Sequence, residues 1–214
     1  KKLQDQYNIS VLFMDVDDQN QYMEKYAKLK GFLPWNCIQR RQIAILKAYE
    51  QGADIIVLID DDNYIACEDY VGKHMSLGKI KNMPVVSSPT GWYNICDDLQ
   101  DRQNRKFYPR GYSWVDRIDE VKNNIWVNKD VKTVVNAGFW LGDPDIDAVT
   151  RLAAPIDVIS YKKDHNYALD NGTYSPFNSQ NTAIHRDVVP VYFLVPDIGR
   201  FDDIWSSYVV ERVA

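Results

Sequence analysis

Residues Cys37–Asp62 read CIQRRQIAILKAYEQGADIIVLIDDD. Ile38, Ile45, Leu46 and Tyr49 fall on one face of a helix with about 3.6 residues per turn, so the spacing predicts a helix over Cys37–Gln51. Gly52 ends it. Asp54–Ile59 (DIIVLI) is apolar and β-branched, as expected of a strand covered on both faces. A helix, a glycine and a buried strand in this order point to the α/β class. Ligands of open α/β sheets bind beyond the carboxyl ends of strands, where Asp60, Asp61 and Asp62 stand.

Three adjacent acids repel one another. Two unit charges about 4 Å apart cost roughly 4 kcal/mol at an effective dielectric near 20. A divalent cation removes that cost, and hard carboxylate oxygens suit Mn²⁺ or Mg²⁺. In an extended chain residues i and i+2 point the same way, so Asp60 and Asp62 are the expected metal ligands. A solvated acidic turn is the plain alternative; the apolar strand directly before it favours a site. Arg40 and Arg41 lie on the preceding helix, and Arg102, Arg105, Arg110 and Arg117 crowd the middle of the chain. Guanidinium forks beside a carboxylate-held cation describe a diphosphate site, with Arg40, Arg41, Asp60, Asp61 and Arg110 as its contacts.

Outward from this unit the chain reads as one domain over residues 1–214, with no repeat or low-complexity linker. Strands are expected at Ser10–Met14, Pro84–Ser88, within Val131–Leu141, at Gln180–His185 and at Val191–Leu194. Helices are expected at Asp145–Ala153, capped by Asp143, and at Asp202–Val213, with Ile204, Trp205, Tyr208 and Val209 on one side. Gly91–Tyr112 reads as long aromatic loops, a usual place for a binding surface. A formal charge of −5 argues against non-specific nucleic-acid binding. No apolar run approaches the roughly 18–20 residues of a membrane span, and no apolar signal segment follows the first charges. The 3 cysteines are too few and scattered for a disulfide framework, which fits a reducing, cytoplasmic setting. They read as small buried side chains, and His74 and His165 as surface residues.

Four stretches together resemble one family. Ile59–Asn63 (IDDDN) is similar to the IDDDC metal motif of the reversibly glycosylated polypeptides, also called UDP-arabinopyranose mutases, and related bacterial glycosyltransferase-like proteins. Arg110–Arg117 (RGYSWVDR) resembles that family's RGYPFSLR, Asn136–Asp147 (NAGFWLGDPDID) its HGLWLNIPDYD, and Arg200–Trp205 (RFDDIW) its RYDDMW. The resemblance implies a glycosyltransferase A-type fold: a Rossmann-like α/β architecture with a mixed central sheet flanked by helices. It implies a UDP-sugar donor, a sugar or hydroxyl acceptor, and room for a homo-oligomer. The arginine ending the second motif accepts a sugar reversibly in the family, and its counterpart here is Arg117. Ser113 replaces the family's proline, and Val115 and Asp116 replace Ser-Leu. Set against the family, the chain begins after the strand that opens the nucleotide-base pocket and stops before a downstream histidine of the metal shell.

Asp202 and Asp203 are the candidates for acceptor contact or base catalysis, one facing the sugar and the other capping the final helix. The activity so indicated is metal-dependent transfer of a sugar from a nucleotide-sugar to an acceptor. A UDP-sugar mutase with reversible self-glycosylation is the second reading, and a non-catalytic nucleotide-sugar-binding module the third. Phe13–Asp17 (FMDVD) also looks like the nucleophile motif of haloacid-dehalogenase-type phosphatases. The stretch between it and Asp60 reads mostly as one helix and its strand, too little for the Ser/Thr strand and lysine of that fold.

Overall fold

The computed structural model describes residues 2–117 and 123–214. Its helices are α1 (Lys2–Tyr7), α2 (Val16–Met23), α3 (Ala27–Phe32), α4 (Arg41–Glu50), α5 (Tyr70–His74), α6 (Ala148–Ala153) and α7 (Asp202–Val213). Its strands are β1 (Ile55–Ile59), β2 (Ile80–Ser87), β3 (Leu99–Asp101), β4 (Ile125–Lys132), β5 (Val135–Ala137), β6 (Val158–Tyr161), β7 (Ala168–Leu169) and β8 (Asn181–His185). The expected unit is present: a 3₁₀ turn at Ile38–Arg40 leads into α4, Gly52 turns the chain at φ +85°, and β1 follows. Only glycine adopts that backbone region without strain.

α4 packs two ways. Ile45 enters a core with Ile56, Ile184, Leu194 and Val210, while Ile43 joins Tyr22, Met23 and Leu33. Ile38, expected on the buried face, is exposed because it lies in the 3₁₀ turn before the helix. Gln42 ties the helix to the C-terminal segment, its Nε2 donating to Tyr192 O and its Oε1 accepting from Leu194 N. Both groups are buried, so the pair satisfies backbone atoms that a regular strand would have satisfied. Val191–Leu194, expected as a strand, instead follows a 3₁₀ turn at Val189–Val191.

The architecture is mixed α/β, but among the described residues the strands form three small sheets rather than the single central sheet expected. Their orders are β1-β8-β5, β4-β2-β7 and β3-β6. β1 runs antiparallel to β8, and the one parallel pair among the described strands is β2 with β7. β1 is therefore an edge strand among the described residues, and its half-exposed pattern corrects the expectation of cover on both faces. Ser10–Met14 is not a strand. Asp15 and Asp18 form a reciprocal capping box that starts α2, leaving Leu12 and Phe13 exposed. Asp147, not Asp143, caps α6; Asp143 pairs with Arg151 on the surface. α7 has its expected bounds, but it buries Ile204 and Val210 and exposes Trp205 and Val209. His74 is buried rather than at the surface, and of the cysteines Cys96 alone is fully buried. No described helix is long and apolar enough to cross a membrane.

Candidate functional site

Asp60 leaves the end of β1, held there by its N–H to Gln180 O, and Asn63 N–H closes a tight turn onto Asp60 O at 3.2 Å. Asp61 and Asp62 lie in this turn and are exposed. Arg41, from the first turn of α4, donates through Nη1 to Asp60 Oδ1 at 3.0 Å and also to Ser179 Oγ. Ser179, just before β8, donates its backbone N–H to Asp203 Oδ2 at 3.2 Å. Asp203 stands in the first turn of α7 and takes Arg110 Nη2 at 3.1 and 3.2 Å. Arg110 in turn forks onto Asp145, Nε to Oδ1 and Nη2 to Oδ2, both at 2.8 Å. Asn178 Nδ2 completes Asp145 at 2.9 Å. One hydrogen-bonded chain thus takes a residue from each of the four motifs: Asp60, Arg110, Asp145 and Asp203.

Burial grades along this chain. The Arg41 and Asp60 side chains are 31% and 25% exposed, whereas those of Arg110, Asp145 and Asp203 are 13%, 9% and 9% exposed. Burial pushes the Asp60 carboxyl above its ordinary range; Arg41 opposes this, and the charges of Asp62 and Asp203 add to it. Burial opposes the charge on Arg110, but Asp145 and Asp203 outweigh it and raise its pKa. Beside the turn an open groove of about 470 Å³ runs between Arg41 and Ile45 of α4 and the length of β1, ending at Asp60–Asp62.

The other expected site residues go elsewhere. Arg40 stacks on Trp35, 3.5 Å from the ring centroid, and donates to Gln19. Arg102 pairs with Asp157, and Arg105 forks onto Asp101, so neither is a loose cation for a diphosphate. Arg117 is drawn into a separate nest: Nη1 bonds Asp147 Oδ2 at 3.0 Å and the guanidinium lies 3.8 Å from the Trp114 centroid. Asp202 accepts from Gln39 Nε2 at 3.1 Å, and burial, then Asp203, push its carboxyl upward. Neither acid is the N-cap residue of α7, which is Phe201 without a side-chain capping bond, but Asp203 Oδ1 accepts from the Ile204 N–H of the first turn at 2.9 Å. Asp145, Asn178, Ser179 and Gln39 were not singled out by sequence. Asp145 lies inside the third motif, where it looked like part of a helix start.

The donor set suits a hard divalent cation. Asp60 and Asp62 carry oxygen donors close enough to repel. Arg41 faces Asp60, and Arg110 faces Asp145 and Asp203, so carboxylates outnumber guanidiniums along the network. Among the described residues no three His, Cys, Asp or Glu side chains gather as a ready-made metal cage.

No family model matches the chain. Among curated proteins, UDP-arabinopyranose mutase 3 of Arabidopsis thaliana is 31% identical over 166 residues, 74% of this chain and 42% of that protein. UDP-arabinopyranose mutase 2 of the same plant is also 31% identical, and UDP-arabinopyranose mutase 1 of Oryza sativa subsp. japonica is 30% identical, over the same shares. The chain spans 42% of the length of these curated relatives. With residues of all four motifs meeting in one network, this chain is related over 74% of its length to the UDP-arabinopyranose mutases, the family those motifs resemble.

Proposed function

We propose that this chain carries the UDP-sugar site of a UDP-sugar mutase of the arabinopyranose type, on a glycosyltransferase A-type framework. The observation that carries the reading is the single chain of contacts linking Asp60, Arg41, Ser179, Asp203, Arg110 and Asp145. Asp60 and Asp62 would hold Mn²⁺ or Mg²⁺, whose charge offsets that developing on the departing diphosphate. Arg41, the more exposed guanidinium, would take diphosphate oxygens through its fork. When the sugar–oxygen bond breaks, its electron pair stays on the diphosphate; attack of the same oxygen on the rearranged ring restores the UDP-sugar. Asp203, oriented by Arg110 and Ser179, is the carboxylate assigned to take the proton of the sugar hydroxyl that closes the new ring and to return it to the ring oxygen released. Arg117, tied to Asp147, is assigned to loop structure rather than to the sugar.

The test is conversion of UDP-arabinopyranose by the full-length protein with Mn²⁺, the UDP-sugars being separated by chromatography. The expected result is an isomeric UDP-sugar without accumulation of free UDP, lost in Asp62→Ala. Free UDP accumulating only with an added acceptor would make the protein a transferase. Metal-dependent UDP binding with no conversion would make it a binding module. Either result would overturn the mutase reading.

A further inference from the structure

Asp145 belongs to no acid pair or capping pattern that sequence reading marks, yet it is one of the most buried carboxylates near the site. Its two oxygens receive three donors: Arg110 Nε, Arg110 Nη2 and Asn178 Nδ2, at 2.8 to 2.9 Å. The Arg110 fork is thereby fixed in plane, since both of its parallel bonds are made to one carboxylate. The same Nη2 reaches both oxygens of Asp203. Arg110 is saturated by these carboxylates on the face it turns to them. It is therefore a bridge between two acids, while its Nη1 is buried without a partner among the described residues and is the one donor left for a ligand. Asn178 closes the arrangement from the other side: its Oδ1 accepts from Gln180 N, the residue whose carbonyl holds Asp60 N–H. Asp145 is thus tied to Asp203 through Arg110, and to the end of β1 through Asn178 and Gln180.

We propose that Asp145 is a positioning residue for the sugar-side carboxylate: by fixing the Arg110 guanidinium it sets the orientation of Asp203. This rests on the mutase reading, in which Asp203 takes the proton, and it names a residue that reading does not need in contact with substrate. A shorter or neutral side chain at 145 leaves Arg110 free to swing onto Asp203 alone. The carboxylate then turns, and the Ser179 N–H to Asp203 Oδ2 bond is the first to feel it. A misplacement of about 1 Å at a reacting group costs on the order of 10²-fold in rate.

The experiment compares wild type, Asp145→Asn, Arg110→Lys, Asp203→Asn and the Asp145→Asn/Asp203→Asn double variant. Three quantities are read: kcat and KM for UDP-sugar conversion, UDP affinity with Mn²⁺, and hydrogen exchange of the Ser179 amide. The expected result for Asp145→Asn is a kcat loss of roughly 10- to 100-fold, with KM and UDP affinity within about twofold, and faster Ser179 exchange. The double variant should be no slower than Asp203→Asn, because residues acting as a unit are not additive. Arg110→Lys keeps the charge and loses the fork, so it should repeat the pattern and serves if Asp145→Asn does not fold. Unchanged Ser179 exchange, unchanged kcat, a matching loss of UDP affinity, or additive losses in the double variant would each overturn the inference while wild-type turnover stands. A wild-type protein without turnover would overturn the mutase reading itself, and the inference with it.

Discussion

Glu211 is the group whose ionisation should weigh most on stability. It lies in the last turns of α7, with Oε1 accepting from Ser175 N–H at 3.2 Å and Oε2 buried without a partner. Burial raises its pKa to about 8, from 4.5, and the Ser175 bond only partly offsets this. The native state therefore holds a proton that the unfolded chain releases. The stabilising effect is complete below the unfolded pKa, declines from there upward, and is gone once pH passes the folded pKa. A separation between about 4.5 and 8 corresponds to roughly 5 kcal/mol at most, against a total of about 5–15 kcal/mol for a typical domain. Glu211→Gln keeps the shape and an oxygen for Ser175 but cannot ionise. Thermal melts of wild type and Glu211→Gln between pH 5 and pH 9 isolate the effect, because Asp60 and Asp202, also raised, titrate in both proteins. The variant should match the wild type near pH 5 and exceed it increasingly toward pH 9. At about 2–4 °C per kcal/mol, the gap should reach on the order of 10 °C. Parallel melting curves across this range would refute the burial argument.

Asp62→Ala should abolish Mn²⁺-dependent UDP affinity in calorimetry while leaving the melting temperature unchanged or higher, since it relieves repulsion at an exposed turn. Arg117→Lys should lower stability by about 1–2 kcal/mol in denaturant titrations without changing UDP affinity, because it loses the Nη1 bond to Asp147, the Nη2 bond to Tyr112 O and the stacking on Trp114. Gly111→Ala should cost about 1–3 kcal/mol by the same measurement, since Gly111 sits at φ +87° and a Cβ there would strike Ile204 Cγ2.

The local unit around the acid triplet was readable because each of its signals is contained in the stretch itself. The helix period, the left-handed Gly52 and the apolar run need no distant partner to be interpreted. The same confidence in an apolar run failed at Ser10–Met14, where no described strand pairs with it and the Asp15–Asp18 capping box decides the local structure. The β3–β6 pairing joins Leu99–Asp101 to Val158–Tyr161, a long-range match that a stretch rich in Asn, Asp and Arg conceals. At the site, Asp60, Arg41 and Asp203 were legible from position: a strand end, a helix start beside it, a paired acid opening the last helix. Arg110 was legible as a site residue but not in its role, because a fork between two acids looks in sequence like any arginine in a loop. Asp145 was hidden because it reads as the first residue of a helix capped by Asp143, whereas the helix starts later and Asp147 is its cap.

The gradient of burial along the network bears on how such a site can bind and release a charged donor. A half-exposed pair such as Arg41–Asp60 is worth about 0–1 kcal/mol, so exchanging Arg41 from carboxylate to phosphate oxygens costs little. Removing one partner from a buried array such as Asp145–Arg110–Asp203 leaves an uncompensated charge and costs about 3–5 kcal/mol. The two ends therefore differ in kind. The end at β1 carries surplus negative charge and an exchangeable arginine, which suits a cation and a diphosphate that must come and go. The end at α7 has its charges locked by planar contacts, which suits a group that must meet the sugar in one orientation through repeated bond breaking and re-formation. Ser179 joins them, donating its amide to Asp203 while its hydroxyl accepts from Arg41. Release of Arg41 to a bound diphosphate would leave Ser179 held to Asp203 by both its amide and its hydroxyl, so the α7 end would keep its geometry.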